Sequence, residues 1–156
     1  MTFENDKTTN AFKISAENWT TLKEKSIMIK GLASDVPMDA TTQVTLQNID
    51  GHQYVDVLSY LSLVRANAGQ SADDFAKTLV ASMADYTGPQ VLRLMNAADY
   101  LNISDLLDCS CQAAADRMKG KTVEEIRKEF GIKNDLTSEQ EEAIRNENRW
   151  AFEDDE

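Results

Sequence analysis

The sequence predicts an α+β domain, on two observations. Apolar residues alternate at period two near the N-terminus, and from about residue 54 they recur at helical spacing instead. Strands gathered early and helices gathered late are the pattern of that class. With 156 residues, 42% of them hydrophobic, the chain can build one domain with a core, or a domain of about 110 residues and an appendage.

In chain order, residues 1–10 are polar and without period, which predicts a loose tail. Phe12, Ile14 and Ala16 alternate with Lys13 and Ser15, the signature of a half-buried strand, and residues 19–22, with Trp19 and Leu22, could supply a short partner. Residues 25–34 read as a short helix despite Gly31. Val44, Leu46 and Ile49 suggest another strand before the turn signal of Asp50 and Gly51. Helical spacing then links Tyr54, Val57, Leu58, Leu61 and Val64, next Phe75, Leu79 and Met83, and next Val91, Leu94, Met95, Ala98 and Leu101. Residues 66–72 form a connection, and Gly88 with Pro89 restarts a helix where the missing N–H of proline costs least. A helix from about 104 to 119 carries Ile103, Leu107, Cys111, Ala114 and Met118 on one stripe and stops at Gly120. On that stripe Cys111 is expected to be buried and Cys109 exposed.

Beyond Gly120 the chemistry changes. Residues 121–156 hold 12 acidic and 6 basic side chains, so this segment contributes −6 of the net charge of −11. Thr122 with Glu125, and Thr137 with Gln140, fit the capping-box spacing, in which a threonine hydroxyl and the residue three later satisfy early backbone N–H groups reciprocally. Two helices should start there. The first places Val123, Ile126 and Phe130 on one face; the second offers only Ala143 and Ile144 before Trp150 and Phe152. So few apolar residues cannot offset a backbone ordering cost of about 1–2 kcal/mol per residue. The segment must dock either on its own domain, through Phe130, Ile132, Leu136 and Trp150, or on a partner, for which aromatic anchors are the usual hot spots. The division expected is a tail at 1–10, a domain at 11–119, a helical extension at 120–152 and an acidic tail at 153–156.

Charge excludes some functions. A net charge of −11 repels phosphate backbones and anionic surfaces, so no nucleic acid and no membrane is expected as partner. No run approaches the roughly 20 apolar residues of a membrane span, and the first ten residues have neither a basic nor an apolar stretch, which predicts an intracellular chain. His52, the one histidine, reads as an exposed turn residue; with two cysteines it cannot complete a four-ligand zinc site. The pairs Glu124–Glu125 and Glu141–Glu142 read as solvated faces, because adjacent residues on a helix point in different directions. No catalytic residue, cofactor, metal or small-molecule substrate is expected.

The ordered series AADYLNISDLLD, MKGKTVEEIRKEFGIKND and LTSEQEEAIRNENRW, over residues 97–150, resembles the C-terminal part of the Skp (S-phase kinase-associated protein) adaptors. The resemblance implies a BTB/POZ domain, a small sheet packed with helices, followed by two helices that embrace an F-box. It implies a non-catalytic adaptor of a Skp/cullin/F-box ubiquitin ligase, cytoplasmic and nuclear, bridging a cullin to F-box proteins that select substrates for degradation. Carried over residue by residue, the F-box surface would hold Met118, Val123, Ile126, Phe130, Ile132, Asn134, Asp135, Ile144, Asn148 and Trp150. The cullin-facing edge would hold Asp99, Tyr100 and Asn102. Asp99 stands where the family usually has Asn, and Val123 where it commonly has Pro. The alternative is a divergent Skp-like protein that keeps F-box partners in a non-degradative complex without the cullin.

Overall fold

A computed structural model of the chain describes residues 2–5, 8–35, 43–46 and 48–151. Phe152 and the acidic tail at 153–156 lie outside them. Three short strands, β1 (Thr2–Asn5), β2 (Thr8–Lys13) and β3 (Gln43–Thr45), pair in the order β2-β1-β3, antiparallel between the first two and parallel between β1 and β3. Strand pairing thus occupies most of the stretch where a loose tail was expected.

Among the described residues, eight α-helices make up most of the rest. The first, α1 (Ala16–Lys25), overturns the strand expected around Trp19 and Leu22. Its cause is local: the Ser15 hydroxyl accepts the Asn18 N–H at 3.2 Å, Glu17 sits in the first turn, and Lys23 and Lys25 sit in the last. Leu22 is buried and Trp19 half-buried on its inner side. The alternation that suggested a longer strand ends at Lys13, and Ile14 is buried in the connection.

Helix α2 (Ile27–Asp35) matches the helix expected over 25–34. Ser26 pins the break between α1 and α2: its hydroxyl donates to the Leu101 carbonyl and accepts the Ile29 N–H at 3.1 Å. The Val44 strand stops at Thr45, and Leu46 and Ile49 are buried in the connection that leads to α3 (Gly51–Ala66). That helix opens on a reciprocal cap, Asp50 accepting from the Gln53 N–H at 2.8 Å while Gln53 Oε1 accepts from the Asp50 N–H at 2.9 Å. Helix α4 (Ala72–Ser82) is capped by Ser71, and α5 (Gly88–Leu101) carries Pro89 in its first turn after Thr87. Helix α6 (Ser104–Met118) follows α5 across Asn102, whose left-handed backbone (φ 52°) ends α5.

The buried apolar side chains from Ile14 to Phe130 belong to helices and to the connections between them. Ile29, Leu61, Val91, Leu101, Ile103 and Leu106 form its center. The core is therefore helical, and the α+β expectation is corrected to a helical architecture, as is the BTB/POZ layout of a sheet packed with helices. The physical reason is that β-branched and aromatic residues of the first 50 positions were read by period and propensity, whereas capping and packing, of α1 on α3 and of α2 on α5, draw residues 16–35 into helices.

The inner face of α6 also differs from the expected stripe. Leu106, Cys109, Ser110, Ala113 and Ala114 are buried, while Cys111 and Met118 are exposed. The face is rotated by about one residue relative to the reading built on Ile103 and Leu107, and the assignments of the two cysteines are reversed. Small residues explain the miss: alanine, serine and cysteine weigh little in a hydrophobic pattern, yet they are what lets α6 approach α5 and α4 closely.

Candidate protein-interaction surface

Two short helices follow α6. Helix α7 (Val123–Phe130) and helix α8 (Ser138–Glu147) begin at the two threonine caps expected from sequence. Thr122 Oγ1 accepts the Glu125 N–H at 3.3 Å and Glu125 Oε2 accepts the Thr122 N–H at 2.8 Å, which holds the Glu125 carboxyl below the usual range. Thr137 and Gln140 make the same exchange at 3.3 and 2.9 Å. Gly131, with φ 66°, ends α7 and frees the Ile132 N–H to reach the Arg127 carbonyl at 2.8 Å. A single 3-10 turn, Arg149–Ala151, carries Trp150.

The two helices are held in different ways. Phe130 is 4% exposed and belongs to the core of the preceding helices, with Ile126 half-buried against it. A Cβ built on Gly88 would stand 2.5 Å from the Glu129 carbonyl oxygen and 3.0 Å from Phe130 Cδ1, so α7 lies directly on the start of α5. Helix α8, in contrast, buries no residue. It is tied by polar contacts: Glu141 Oε1 accepts from Arg127 Nη1 at 3.0 Å and from Asn134 Nδ2 at 2.9 Å, which lowers the Glu141 carboxyl, first through Asn134 and then through Arg127.

The residues expected on the F-box surface consequently separate. Met118, Val123, Ile132, Ile144 and Trp150 are exposed, as are Asn134, Asp135 and Asn148. Ile126 and Phe130 turn inward, and Phe130, at the last turn of α7, packs at Gly88. Leu136 joins the exposed set. Trp150, at 74% exposure, does not fold back as a cap. Of the nine exposed large apolar side chains among the described residues, six fall between 118 and 150, so this segment carries most of them.

The second expected surface lies at the junction of α5 and α6. Asp99 is exposed, Tyr100 half-buried, and Asn102 exposed with its N–H on the Asp99 carbonyl at 2.9 Å. The Asn102 carbonyl accepts the Ile27 N–H at 3.2 Å, so Ile27, 63% exposed, stands beside this edge. Sequence reading missed Ile27. The available signal was an isoleucine at the start of a helix, two residues from Ile29, which the helical period sends inward.

The polar cluster around Asp105 is structural. Asp105 Oδ1 accepts from Tyr60 Oη at 2.7 Å and Asp105 Oδ2 pairs with Lys25 Nζ at 2.7 Å, and burial pushes the Tyr60 phenol well above its ordinary range, with the bond to Asp105 adding to it. Lys25 also lies 5.6 Å from the Phe75 ring center. These bonds tie α1, α3 and α6 together and leave no free base. His52 is exposed at the start of α3. Among the described residues no group of three or more His, Cys, Asp or Glu could hold a metal ion, and no helix is long and apolar enough to cross a membrane.

Comparison with known proteins bears on the same end of the chain. Residues 104–151, which span α6, α7, α8 and the Trp150 turn, match the profile of the Skp1 family, dimerisation domain. SKP1-like protein 14 of Arabidopsis thaliana is 45% identical over 112 residues, covering 72% of this chain and 74% of that protein. SKP1-like protein 3 of the same plant is 38% identical over 139 residues, covering 83% and 84%. SKP1-like protein 1 of Oryza sativa subsp. japonica is 56% identical over 80 residues, covering 51% and 42%.

Proposed function

Because this chain belongs to the Skp1 family, we propose that it is a non-catalytic adaptor that holds an F-box protein at α7, α8 and the Trp150 turn, and a cullin at the edge of Tyr100 and Asn102. In that role it would bridge the two in the cytoplasm and nucleus, so that substrates chosen by the F-box protein are placed for ubiquitin transfer. The observation that carries the reading is the concentration of exposed apolar side chains between 118 and 150, on helices of which α8 buries nothing. Covering one large apolar side chain is worth about 1.5–3 kcal/mol, so a partner that seats several of them gains enough to hold both helices.

Trp150 supplies the test. Its indole is the most exposed of the large apolar groups among the described residues, so Trp150→Ala should leave the melting temperature of the free chain unchanged. Titration of a recombinant F-box domain against wild type and variant should show a loss of about 2 kcal/mol, roughly 30-fold in affinity. A cullin N-terminal domain titrated alongside should bind both chains equally. Unchanged F-box affinity would remove Trp150 from the site, and equal losses toward both ligands would contradict the division into two surfaces.

A further inference from the structure

The last turn of α7 carries Glu129, an acid at the end of a helix where the carbonyl groups already concentrate negative charge. Two cations from outside α7 answer it. Lys121 Nζ lies 3.0 Å from Glu129 Oε2, and Arg117 Nε lies 3.8 Å from Glu129 Oε1. Lys121 is an ordinary surface partner. Arg117 is not: its side chain is only 16% exposed, and it serves several elements at once.

Arg117 Nη2 donates to the carbonyl oxygens of Met83 at 2.7 Å, Ala84 at 3.1 Å and Tyr86 at 2.5 Å, while Nη1 donates to Ala113 at 3.3 Å within α6. Met83 caps α4, and Tyr86 lies two residues before α5. One guanidinium thus joins the end of α4, the approach to α5, α6 and the carboxylate of α7. The planar fork of five N–H donors is what allows this, and a lysine ammonium could not span the same set. The close approach of the Glu129 carbonyl to Gly88 is an independent sign that α7 has one seat on the domain.

We propose that Arg117 is a positioning residue for partner docking. It fixes where α7 sits on α5 and α6, and hence where Val123, Ile132 and the chain leading to α8 present their apolar side chains. This rests on the F-box reading, since it concerns the same surface. The route is a population: a partner that needs α7 docked binds in proportion to the docked fraction, so loosening α7 raises the apparent Kd by the inverse of that fraction.

The test uses the full chain with Arg117→Gln, which removes the charge, and Arg117→Lys, which keeps it. Each is titrated with a recombinant F-box domain and followed free in solution by hydrogen exchange. Arg117→Gln should weaken F-box binding about tenfold and speed exchange of the α7 amides, with α3 and α5 exchanging as in wild type. Arg117→Lys should recover part of both losses, because its ammonium still answers Glu129. Wild-type affinity in Arg117→Gln overturns the proposal, and so does loss of α3 and α5 protection in step with α7, which would make Arg117 a general support of the fold. A wild-type chain that binds no F-box domain would sink the F-box reading instead; the hold of Arg117 on α7 is then decided by α7 exchange alone, where no change in Arg117→Gln counts against it.

Discussion

Asp56 shows how single residues of this chain carry a cost that the sequence does not reveal. It lies on α3, half-buried, and burial raises its carboxyl above the ordinary range, against the lowering effects of the Tyr86 hydroxyl at 3.4 Å and of Arg93 and His52, and with Asp50 adding to the rise. A carboxyl whose pKa is raised by folding binds its proton more tightly in the native state. Its ionised form therefore subtracts stability above the folded pKa, and the loss disappears as pH falls below the unfolded value. Asp56→Asn should melt higher than wild type at pH 7, and the gap should close as pH is lowered through the carboxylate range. A gap that persists unchanged at low pH would show that the benefit is not electrostatic. The cysteines make a second residue-scale test. Cys109 is buried, its Sγ 3.8 Å from the Ala76 carbonyl, and burial, then Asp105 and Asp108, pushes its thiol up, whereas Cys111 is exposed. A maleimide should label one thiol per native chain, at Cys111, and the second only after denaturation. The reversed assignment from sequence came from weighing Leu107 as inward; Leu106 is the leucine that is fully buried, and each helical neighbor follows it.

At the level of elements, the parts legible in the sequence were those with local signals. Both threonine caps of the C-terminal helices are where their spacing put them, because a capping box is a contract among four consecutive residues and needs no distant partner. Residues 19–22 were misread as a strand because their helix depends on Ser15 and on packing of Leu22 against distant elements, which no short window contains. The same reasoning sets expectations for α8. With no buried residue and with ties through Glu141, it opens at low cost, so its amides should exchange faster than those of α5 and α6. Thr137→Ala removes the cap, worth about 1 kcal/mol, and should speed α8 exchange about fivefold while leaving the melting temperature of the chain unmoved. Slow exchange of α8 in the free chain, on a par with α6, would mean that contacts beyond the polar ones hold it.

For the molecule as a whole, the apolar face was legible as a set of residues but not as a geometry. The resemblance placed Val123, Ile132, Ile144 and Trp150 on the partner surface together with Ile126 and Phe130, and helical period alone cannot say which side of a short helix meets its own domain. Burial divides the group, and it predicts where the chain can be cut. Removing residues 137–156 takes away α8, which buries nothing, and with it the contacts of Glu141 to Arg127 and Asn134. Removing residues 120–156 also takes away Phe130, 4% exposed against Gly88 and the start of α5, together with the Glu129 partner of Arg117. Loss of a buried phenylalanine side chain costs about 3–5 kcal/mol, which for a chain of this size lowers the melting temperature by roughly 10 °C. The shorter deletion should therefore melt close to wild type and the longer one well below it, in thermal scans followed by circular dichroism under one set of conditions. Two truncations that melt together, near wild type, would show that α7 contributes nothing to the core. If instead both fell by a similar amount, α8 would have to be supporting the domain through contacts of its own, and its reading as a partner-held helix would fail with it.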